Sequence, residues 1–380
     1  MEKRGFRVLV GGGLGSLPTE AALLTDFLPE EELLPTTEAV LRVFSEFGNR
    51  KNKMMARMKF VLRAKGIEEF RRMVAEKRKT VQTPALVYTQ PAPQSAPLVN
   101  ISSEPISAAG SNGHSDPEYA AWTKHNVMQQ RQQGYAALWI KLPAGTLYSQ
   151  QMRGLAKLLD LHKLPGMRIA INQDLVLPWV PTSLVHTIHD ELRTLDLVTP
   201  GARTIADVTG CPGATTCNLG ITRSLTLADV LAKELAGETD PEVLKVHIKI
   251  SGCPNSCGQH QIADIGFYGN ARKIGDRQVP YYQLLLGGKI DTNGVHFGRQ
   301  VMVVPARPVP DIIRELLSAY KEHREDGESF SDWAVRTPDD VIIERLRAYA
   351  DLENAPADTF VDWGDTEVYS LKLGRGECAA

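Results

Sequence analysis

The chain has 380 residues, of which 43% are hydrophobic and 23% charged, and its formal net charge at pH 7 is −2. This length allows two or three domains of ordinary size, and the balanced charge indicates neither a nucleic-acid partner nor a membrane surface. No apolar run approaches the ~20 residues that span a bilayer, and the charged N-terminus lacks the apolar core of a secretory signal. We therefore expect a cytoplasmic protein, in which clustered cysteines are metal ligands or catalytic groups rather than disulfides.

The first eighty residues predict a strand, a glycine turn and helices. Residues 6–10 fit a buried strand, and Gly11, Gly13 and Ser16 follow it. A dinucleotide-binding fingerprint is not indicated, because Ser16 occupies the third glycine position and no second strand is expected before the acidic residues 30–32. A tight turn, or close approach of the backbone to a cofactor, explains the glycines better. Apolar residues then recur at helical spacing over residues 37–79.

A basic stretch lies within this helical region, between its two apolar patterns. It is either the solvated face of a helix or a set of cations that binds carboxylates or phosphates. Its members are Arg50, Lys51, Lys53, Arg57, Lys59, Arg63 and Lys65. Residues 80–117 are rich in proline and lack periodicity, which predicts a flexible linker.

The region that follows the linker predicts a small α+β unit. A turn at residues 172–174, Asn-Gln-Asp, separates two of its strands, and the order of elements suggests antiparallel pairing. Strands are predicted at residues 136–142, 167–171 and 175–180, and helices at residues 149–162 and 182–194. No side chains in this unit have catalytic spacing.

Four of the five cysteines form two pairs. Five residues separate Cys211 from Cys217, and three separate Cys253 from Cys257. Both pairs lie in predicted loops at the ends of regular elements, where four thiolates can converge on one point. Cys378, near the C-terminus, is interpreted as a tail thiol.

The spacing of the pairs favours an iron–sulfur cluster over zinc. Cysteines of structural zinc sites are usually separated by about two to four residues, which the second pair satisfies and the first does not. Cluster ligation tolerates the wider pair, because its ligands bind different corners of a larger object. Pro212 and Pro254 stiffen both loops, and neighbouring glycines let backbone N–H groups approach sulfur. Zinc and a disulfide remain as alternatives.

The residues around the cysteines resemble a known family. Residues 209–220, TGCPGATTCNLG, and residues 251–258, SGCPNSCG, are similar to the paired cysteine motifs of the sirohaem-dependent sulfite/nitrite reductases. The similarity covers most of the chain apart from the linker and the last thirty residues. Further similar segments are residues 6–15, 42–50, 134–196, 263–269 and 282–288.

The resemblance implies an α+β fold of the nitrite/sulfite reductase haemoprotein type. A ferredoxin-reductase-like half-domain would accompany an α+β domain that binds sirohaem and a [4Fe-4S] cluster. The implied order is the end of a first sirohaem-binding half (1–79), the linker (80–117), the half-domain (118–196), the cluster and sirohaem domain (197–350) and a tail (351–380).

The resemblance also implies roles for particular residues. The cluster ligands would be Cys211, Cys217, Cys253 and Cys257, and Cys257 would also bind the sirohaem iron. Sirohaem is rich in carboxylates, and the cations expected at its rim are Arg57 and Lys59, with Arg50 and Lys53 as further candidates. Asn255 matches a family position that hydrogen-bonds the macrocycle.

The implied activity is the six-electron reduction of sulfite to sulfide or of nitrite to ammonia, with ferredoxin or a flavoprotein as electron donor. The family's substrate-binding basic residues belong to its first half, and no catalytic residue is assigned. The resemblance therefore leaves three alternatives: a fragment, one subunit of an enzyme whose activity requires a separate N-terminal half, or a relative that keeps the cofactors and has lost turnover. Lys245, His247 and Lys249 lie on one face of a predicted strand, but a solvated strand face explains them better. The alternatives are a non-catalytic iron–sulfur electron-transfer protein and a zinc-stabilised binding module.

Overall fold

The computed structural model describes residues 3–52, 55–82, 116–292, 294–352 and 356–374. Lys53, Cys378 and most of the predicted linker lie outside these ranges. Contacts divide the chain into two compact units, Met1–Gln94 and Ser95–Ala380. Within the described ranges, no helix combines the length and the apolarity needed to cross a bilayer.

The first unit is a β-hairpin followed by three helices. Its two strands pair antiparallel, and Val10 and Leu24 from the hairpin join the apolar faces of the helices in one core. The elements are β1 (Gly5–Val10), β2 (Ala22–Pro29), α1 (Leu33–Phe47), α2 (Met58–Lys65) and α3 (Ile67–Arg78).

Two sequence predictions for this unit are wrong. β1 is not a buried strand, because Phe6 is 42% and Leu9 52% exposed, and Val10 is its one fully buried residue while Val8 packs partly against the core. A second strand, β2, does lead into the acidic residues 30–32. It returns antiparallel to β1, so the parallel strand–helix–strand unit of a dinucleotide site does not form.

The second unit begins with a four-stranded antiparallel sheet in the order β3-β4-β6-β5, packed with helices. Alternate residues of the central strands, such as Leu138, Ile140 and Leu177, are fully buried, as expected for a sheet with one covered face. The predicted turn at residues 172–174 is confirmed. The elements are α4 (Pro117–Asn126), β3 (Val127–Gln129), β4 (Tyr135–Ile140), α5 (Ser149–Leu161), β5 (Arg168–Ile169), β6 (Leu175–Pro181) and α6 (Val185–Thr194).

The rest of the second unit is built on a five-stranded mixed sheet in the order β13-β10-β9-β8-β7. β7, β8 and β9 are parallel, whereas β9, β10 and β13 are antiparallel. The elements are β7 (Thr209–Gly210), α7 (Ser224–Glu234), β8 (Ile248–Ser251), β9 (Ile265–Ile274), β10 (Arg277–Leu286), β11 (Lys289–Asp291), β12 (Gly294–His296), β13 (Arg299–Pro305), α8 (Val309–His323), α9 (Phe330–Arg336) and α10 (Asp339–Ala350).

The parallel pairing of β7 and β8 positions the cysteines. Parallel neighbours end at the same edge of a sheet, and Thr209 of β7 lies beside Lys249 of β8. Cys211 directly follows β7, and Cys253 follows β8 after one glycine. The two cysteine pairs therefore start side by side, as the sequence predicted from their places at element ends.

The strand predicted at residues 244–250 is shorter than expected. The three basic residues predicted on it, Lys245, His247 and Lys249, therefore do not share one strand face. Residues Val243–Lys245 form a 3₁₀ turn, and β8 begins only at Ile248. Lys245 pairs with Glu242, and the exposed His247 lies 3.3 Å from Asp264. The predicted basic strand face is therefore wrong, because the alternation of apolar residues continues through a turn.

Candidate metal centre on two cysteine loops

The first cysteine loop, residues 211–217, extends the sheet and then turns sharply. The Cys211 N–H donates to the Ile250 carbonyl at 3.1 Å, and the Cys217 N–H donates to the Gly213 carbonyl at 2.9 Å. Gly213 has a φ of +55°, and a Cβ there would lie 2.4 Å from the Thr222 carbonyl oxygen. This loop thus requires glycine at that position, and it presents one buried thiol, Cys211, and one exposed thiol, Cys217.

The second cysteine loop, residues 253–257, has a different backbone. Ser256 and Gln259 both adopt left-handed conformations, with φ of 64° and 63°. The next residue after the loop, Gly258, donates its N–H to Ser251 Oγ at 3.1 Å. A Cβ on Gly258 would lie 2.1 Å from the Ile250 carbonyl oxygen, so only glycine fits. The loop leaves Cys253 half-buried and Cys257 exposed.

The two loops pack directly on each other through glycine. A Cβ on Gly252 would lie 2.5 Å from Gly213 Cα, which shows how closely the two backbones approach. The Gly252 carbonyl accepts hydrogen bonds from the Ile221 and Thr222 N–H groups at 2.8 and 3.1 Å. The relative position of the cysteine pairs is therefore fixed by main-chain contacts.

The surroundings of the thiols suit thiolates that bind a metal cluster. The Gly252 N–H donates to Cys211 Sγ at 3.1 Å, and Ser224 Oγ lies 3.3 Å from the same sulfur. The backbone of Asn255 hydrogen-bonds the Cys253 sulfur. Such N–H donors stabilise sulfur ligands and tune the potential of a cluster.

The two thiols of the second loop have raised pKa values, caused first by burial and then by the charges of the other cysteines. Burial raises the pKa of Cys253, and negative charge on Cys211, Cys257 and Cys217 raises it further. Burial also raises the pKa of Cys257, followed by the charges of Cys211 and Cys217. Four thiolates held this close require a compensating positive charge, which bound iron would provide.

The chemistry of the donor set is the test of fit for a metal group. Four cysteines lie on two adjoining loops, and backbone N–H groups are directed at two of their sulfurs, Cys211 and Cys253. Cysteine thiolates with N–H donors are the usual surroundings of an iron–sulfur cluster. The residues present therefore fit a [4Fe-4S] cluster.

The predicted haem-rim residues occupy two different environments. Arg57 is exposed, and its nearest partner is the carbonyl of the preceding residue, Ala56. Arg50 is also exposed, and its guanidinium lies 5.5 Å from the centre of the Phe44 ring. Asn255, on the second cysteine loop, is exposed as well.

Lys59 differs from the other candidates because it is buried. Its Nζ donates to the carbonyls of Leu14 and Leu17 at 2.9 and 2.7 Å. Burial lowers the pKa of Lys59, and the cations of Arg63 and Arg57 lower it further. The ammonium thus fixes the glycine-rich turn after β1, and within the part of the chain that the structure describes it uses two of its three N–H donors there.

Sequence reasoning missed a buried polar cluster that joins the half-domain to the sheet of the cysteine loops. Asn172 Nδ2 donates to Asp174 Oδ2 at 2.7 Å and to Asp207 Oδ2 at 2.6 Å. Burial and the charge of Asp207 raise the pKa of Asp174 to about 8. Lys141, only 4% exposed, interacts electrostatically with both carboxyl groups. The polar triplet 172–174 was a visible signal for a turn, but its partners are distant in sequence.

Comparison with known families agrees with this architecture. The chain matches the family described as "Nitrite and sulphite reductase 4Fe-4S domain" over residues 1–82 and 201–348, which is more than half of its length. Residues 128–195 match the "Nitrite/Sulfite reductase ferredoxin-like half domain". The chain is a redox protein of the iron–sulfur class, and it belongs to the nitrite and sulphite reductase family. Membership implies a [4Fe-4S] cluster and sirohaem, and it confirms the predicted α+β fold with its half-domain.

Similar proteins include reductases of both anions. Ferredoxin–nitrite reductase of Synechococcus elongatus is 28% identical over 82% of this chain and 56% of the relative. Sulfite reductase [ferredoxin] 1 of Mycolicibacterium paratuberculosis is 28% identical over 89% of this chain and 57% of the relative. The solved structure of Mycobacterium tuberculosis NirA has 26% identity and a TM-score of 0.70, covering 89% of this chain and 58% of NirA. The chain thus spans about half the length of the curated relatives it matches.

Proposed function

We propose that this chain is the cofactor-bearing part of a sirohaem-dependent sulfite or nitrite reductase. Cys211, Cys217, Cys253 and Cys257 hold the [4Fe-4S] cluster, and Cys257 also binds the sirohaem iron. The observation that carries the proposal is the contact between the two cysteine loops, in which the Gly252 N–H points at Cys211 Sγ. Family membership supports the same assignment.

Different roles are proposed for Cys211 and Cys257, because their thiols lie in different environments. Cys211 is buried and receives hydrogen bonds, so it suits a ligand that anchors the cluster. Cys257 is exposed, so its sulfur is accessible to a second cofactor outside the loop. When bound, the two cofactors supply an electron store and the iron at which the anion is reduced. Since the relatives are named as ferredoxin-dependent enzymes, a ferredoxin is the proposed donor.

Substrate binding is proposed to depend on residues in the part of the relatives that this chain does not span. In the described residues, Lys245 and His247 both face carboxylates, and Lys249 is half-buried and donates from its Nζ to Gln259 Oε1 at 3.2 Å. None of these three is therefore proposed to bind sulfite or nitrite. Reduction of either anion is expected once a segment equivalent to the family's first half is supplied.

An anaerobic visible spectrum, together with iron, acid-labile sulfide and zinc analysis of the purified chain, tests the proposal. Sirohaem bands with about four irons beyond the haem iron are expected. An iron–sulfur spectrum without haem would favour an electron-transfer protein instead. Zinc without colour would contradict the cluster itself.

The haem-rim assignment has its own test in Arg57. Arg57→Gln removes an exposed cation whose partner among the described residues is its neighbour's carbonyl, so it should lower sirohaem content and leave acid-labile sulfide unchanged. Arg72→Gln, an exposed arginine on α3 paired with Glu69, is the matched control. Equal loss of haem and sulfide would show that the substitution acts through folding. Lys59→Glu is expected to lower both, because it also removes the two hydrogen bonds to the glycine-rich turn.

A further inference from the structure

A segment near the C-terminus, residues 356–374, packs on the chain that directly follows the first cysteine pair. It contains the 3₁₀ turn Ala357–Phe360 and lies outside the part of the chain that matches the reductase domain. Its Gly374 N–H donates to the Asn218 carbonyl at 2.9 Å, one residue after Cys217. We call residues 356–374 the C-terminal strap.

Arg223 fixes the strap at a second point. Its guanidinium pairs with Asp365 at 2.8 Å, and its backbone N–H donates to Asp362 Oδ2 at 2.8 Å. Asp362 is only 2% exposed and Phe360 6%, so the strap is anchored in the interior of the unit. The strap is thus a folded part of the cysteine-bearing unit.

The strap also reaches a thiol through a chain of three hydrogen bonds. Tyr369 Oη donates to the Ile221 carbonyl at 2.8 Å. The Ile221 N–H donates to the Gly252 carbonyl at 2.8 Å, and the Gly252 N–H donates to Cys211 Sγ at 3.1 Å. The two side-chain atoms at the ends of this chain are joined through the main chain of Ile221 and Gly252. The tyrosine hydroxyl is therefore connected to a proposed cluster ligand through residues that flank the two cysteine loops.

We propose that Tyr369 is a positioning residue for the cluster, which holds residues 221 and 252 so that the Gly252 N–H points at Cys211 Sγ. This inference rests on the proposed function, because it assigns the hydrogen-bonded sulfur to a cluster ligand. N–H donors to sulfur stabilise the more negative, reduced state of a cluster and so raise its potential. Burial raises the pKa of the Tyr369 hydroxyl, which keeps it protonated and able to donate.

The test is Tyr369→Phe in the full chain, purified anaerobically. We expect amide hydrogen exchange at Ile221 and Gly252 to accelerate about five- to tenfold, as for loss of one hydrogen bond. The cluster should become harder to reduce, with a more negative potential. Asp365→Asn, which weakens the ion pair to Arg223, should change both quantities in the same direction by a smaller factor.

Two internal controls distinguish positioning from general loss of stability. The Gly258 N–H is held by Ser251, and both residues flank the second loop, so the exchange rate of this N–H should stay unchanged. Tyr349→Phe makes the same chemical change on α10 and should affect neither exchange nor potential. Equal acceleration at Gly252 and Gly258, or exchange and potential identical to the parent chain, would overturn the proposal. Iron and sulfide analysis of the same samples tests the proposed function separately, since the exchange rates can be measured whether or not sirohaem is bound.

Discussion

The two cysteine loops start in the same way, at the ends of neighbouring parallel strands, but different parts of the chain stabilise them. The first loop depends on Ser224 at the start of α7, whose Oγ donates to the Cys211 carbonyl at 2.8 Å, and on the strap, more than a hundred residues further along. The second loop is held by its own neighbours. Ser251 Oγ accepts the Gly258 N–H and lies 2.9 Å from His260 Nδ1.

The thiols of the first loop are therefore positioned partly by distant segments, whereas those of the second loop are positioned by residues close in sequence. The second loop contains a left-handed Ser256 and is followed by a left-handed Gln259, so its shape is set within a few residues and fixes the exposed Cys257. The first loop has a turn hydrogen bond of its own, from the Cys217 N–H to the Gly213 carbonyl, but it also contacts segments far along the chain. A substitution far along the chain can therefore disturb Cys211 and Cys217 while leaving Cys257 in place.

The largest expected effect distinguishes the exposed thiols of the two loops. Under the proposed function, Cys257→Ser removes a cluster ligand and the link to sirohaem, whereas Cys217→Ser removes a cluster ligand alone. We expect Cys257→Ser to abolish electronic coupling between haem and cluster and all anion reduction by the completed enzyme. Visible and electron paramagnetic resonance spectra measure the coupling. Coupling that persists in Cys257→Ser would assign the bridging role to a different residue.

A smaller effect is expected at the glycine contact that joins the loops. In Gly252→Ala the new Cβ would lie 2.5 Å from Gly213 Cα and 2.7 Å from the Thr222 carbonyl oxygen, so the loops must separate. We expect a loss of about 1–3 kcal/mol in the free energy of unfolding, typical of overpacking. Denaturant unfolding of the chain measures it.

Gly237→Ala is the matched control for this substitution, because a Cβ there meets nothing within 4 Å. Its free energy of unfolding should stay within about 0.5 kcal/mol of the parent chain. If Gly252→Ala were as stable as Gly237→Ala, the two loops would not be in the close contact that the proposed cluster site requires.

The parts of the site that could be predicted from the sequence are those with local causes. The spacing of the cysteines, the prolines after Cys211 and Cys253, and the flanking glycines indicated two turns at strand ends. The structure has those turns, and the half-domain elements also lie close to their predicted positions. Each of these features is determined by backbone preferences within a short window.

The features that were missed depend on partners far along the chain. Nothing local indicates that Tyr369 contacts Ile221, or that Lys59 would donate to carbonyls more than forty residues earlier. The strand predicted over residues 244–250 failed for a related reason. The Asp240 side chain accepts a hydrogen bond from the Val243 N–H, which stabilises a turn at residues 243–245. The alternation of apolar residues does not reveal this contact.

The smallest expected effect is on how the free energy of unfolding depends on pH. One buried group lies near each loop, and the two groups should change this free energy in opposite directions. Burial lowers the pKa of His260, beside the second loop, to about 3. Below pH about 6.5 the unfolded chain therefore takes up a proton that the folded chain does not, and stability falls as pH falls.

Burial raises the pKa of Asp362, in the strap that supports the first loop. Above pH about 4 the folded chain keeps a proton on this group longer than the unfolded chain, so its contribution to stability falls as pH rises.

Urea unfolding at several pH values between 4 and 8 measures both contributions, each at most about 1.4 kcal/mol per pH unit. His260→Gln should flatten the loss of stability below pH about 6.5, and Asp362→Asn should flatten the decline that begins above pH about 4. His323→Gln, which changes an exposed histidine on α8, should leave the curve unchanged and serves as the control. If all of the variants gave curves parallel to the parent, neither buried group would differ in pKa between the folded and unfolded chains, and the opposite responses of the loops would be disproved. If only His260→Gln changed the curve, local control of the second loop would stand, and the strap would have to hold the first loop through uncharged contacts such as that of Tyr369.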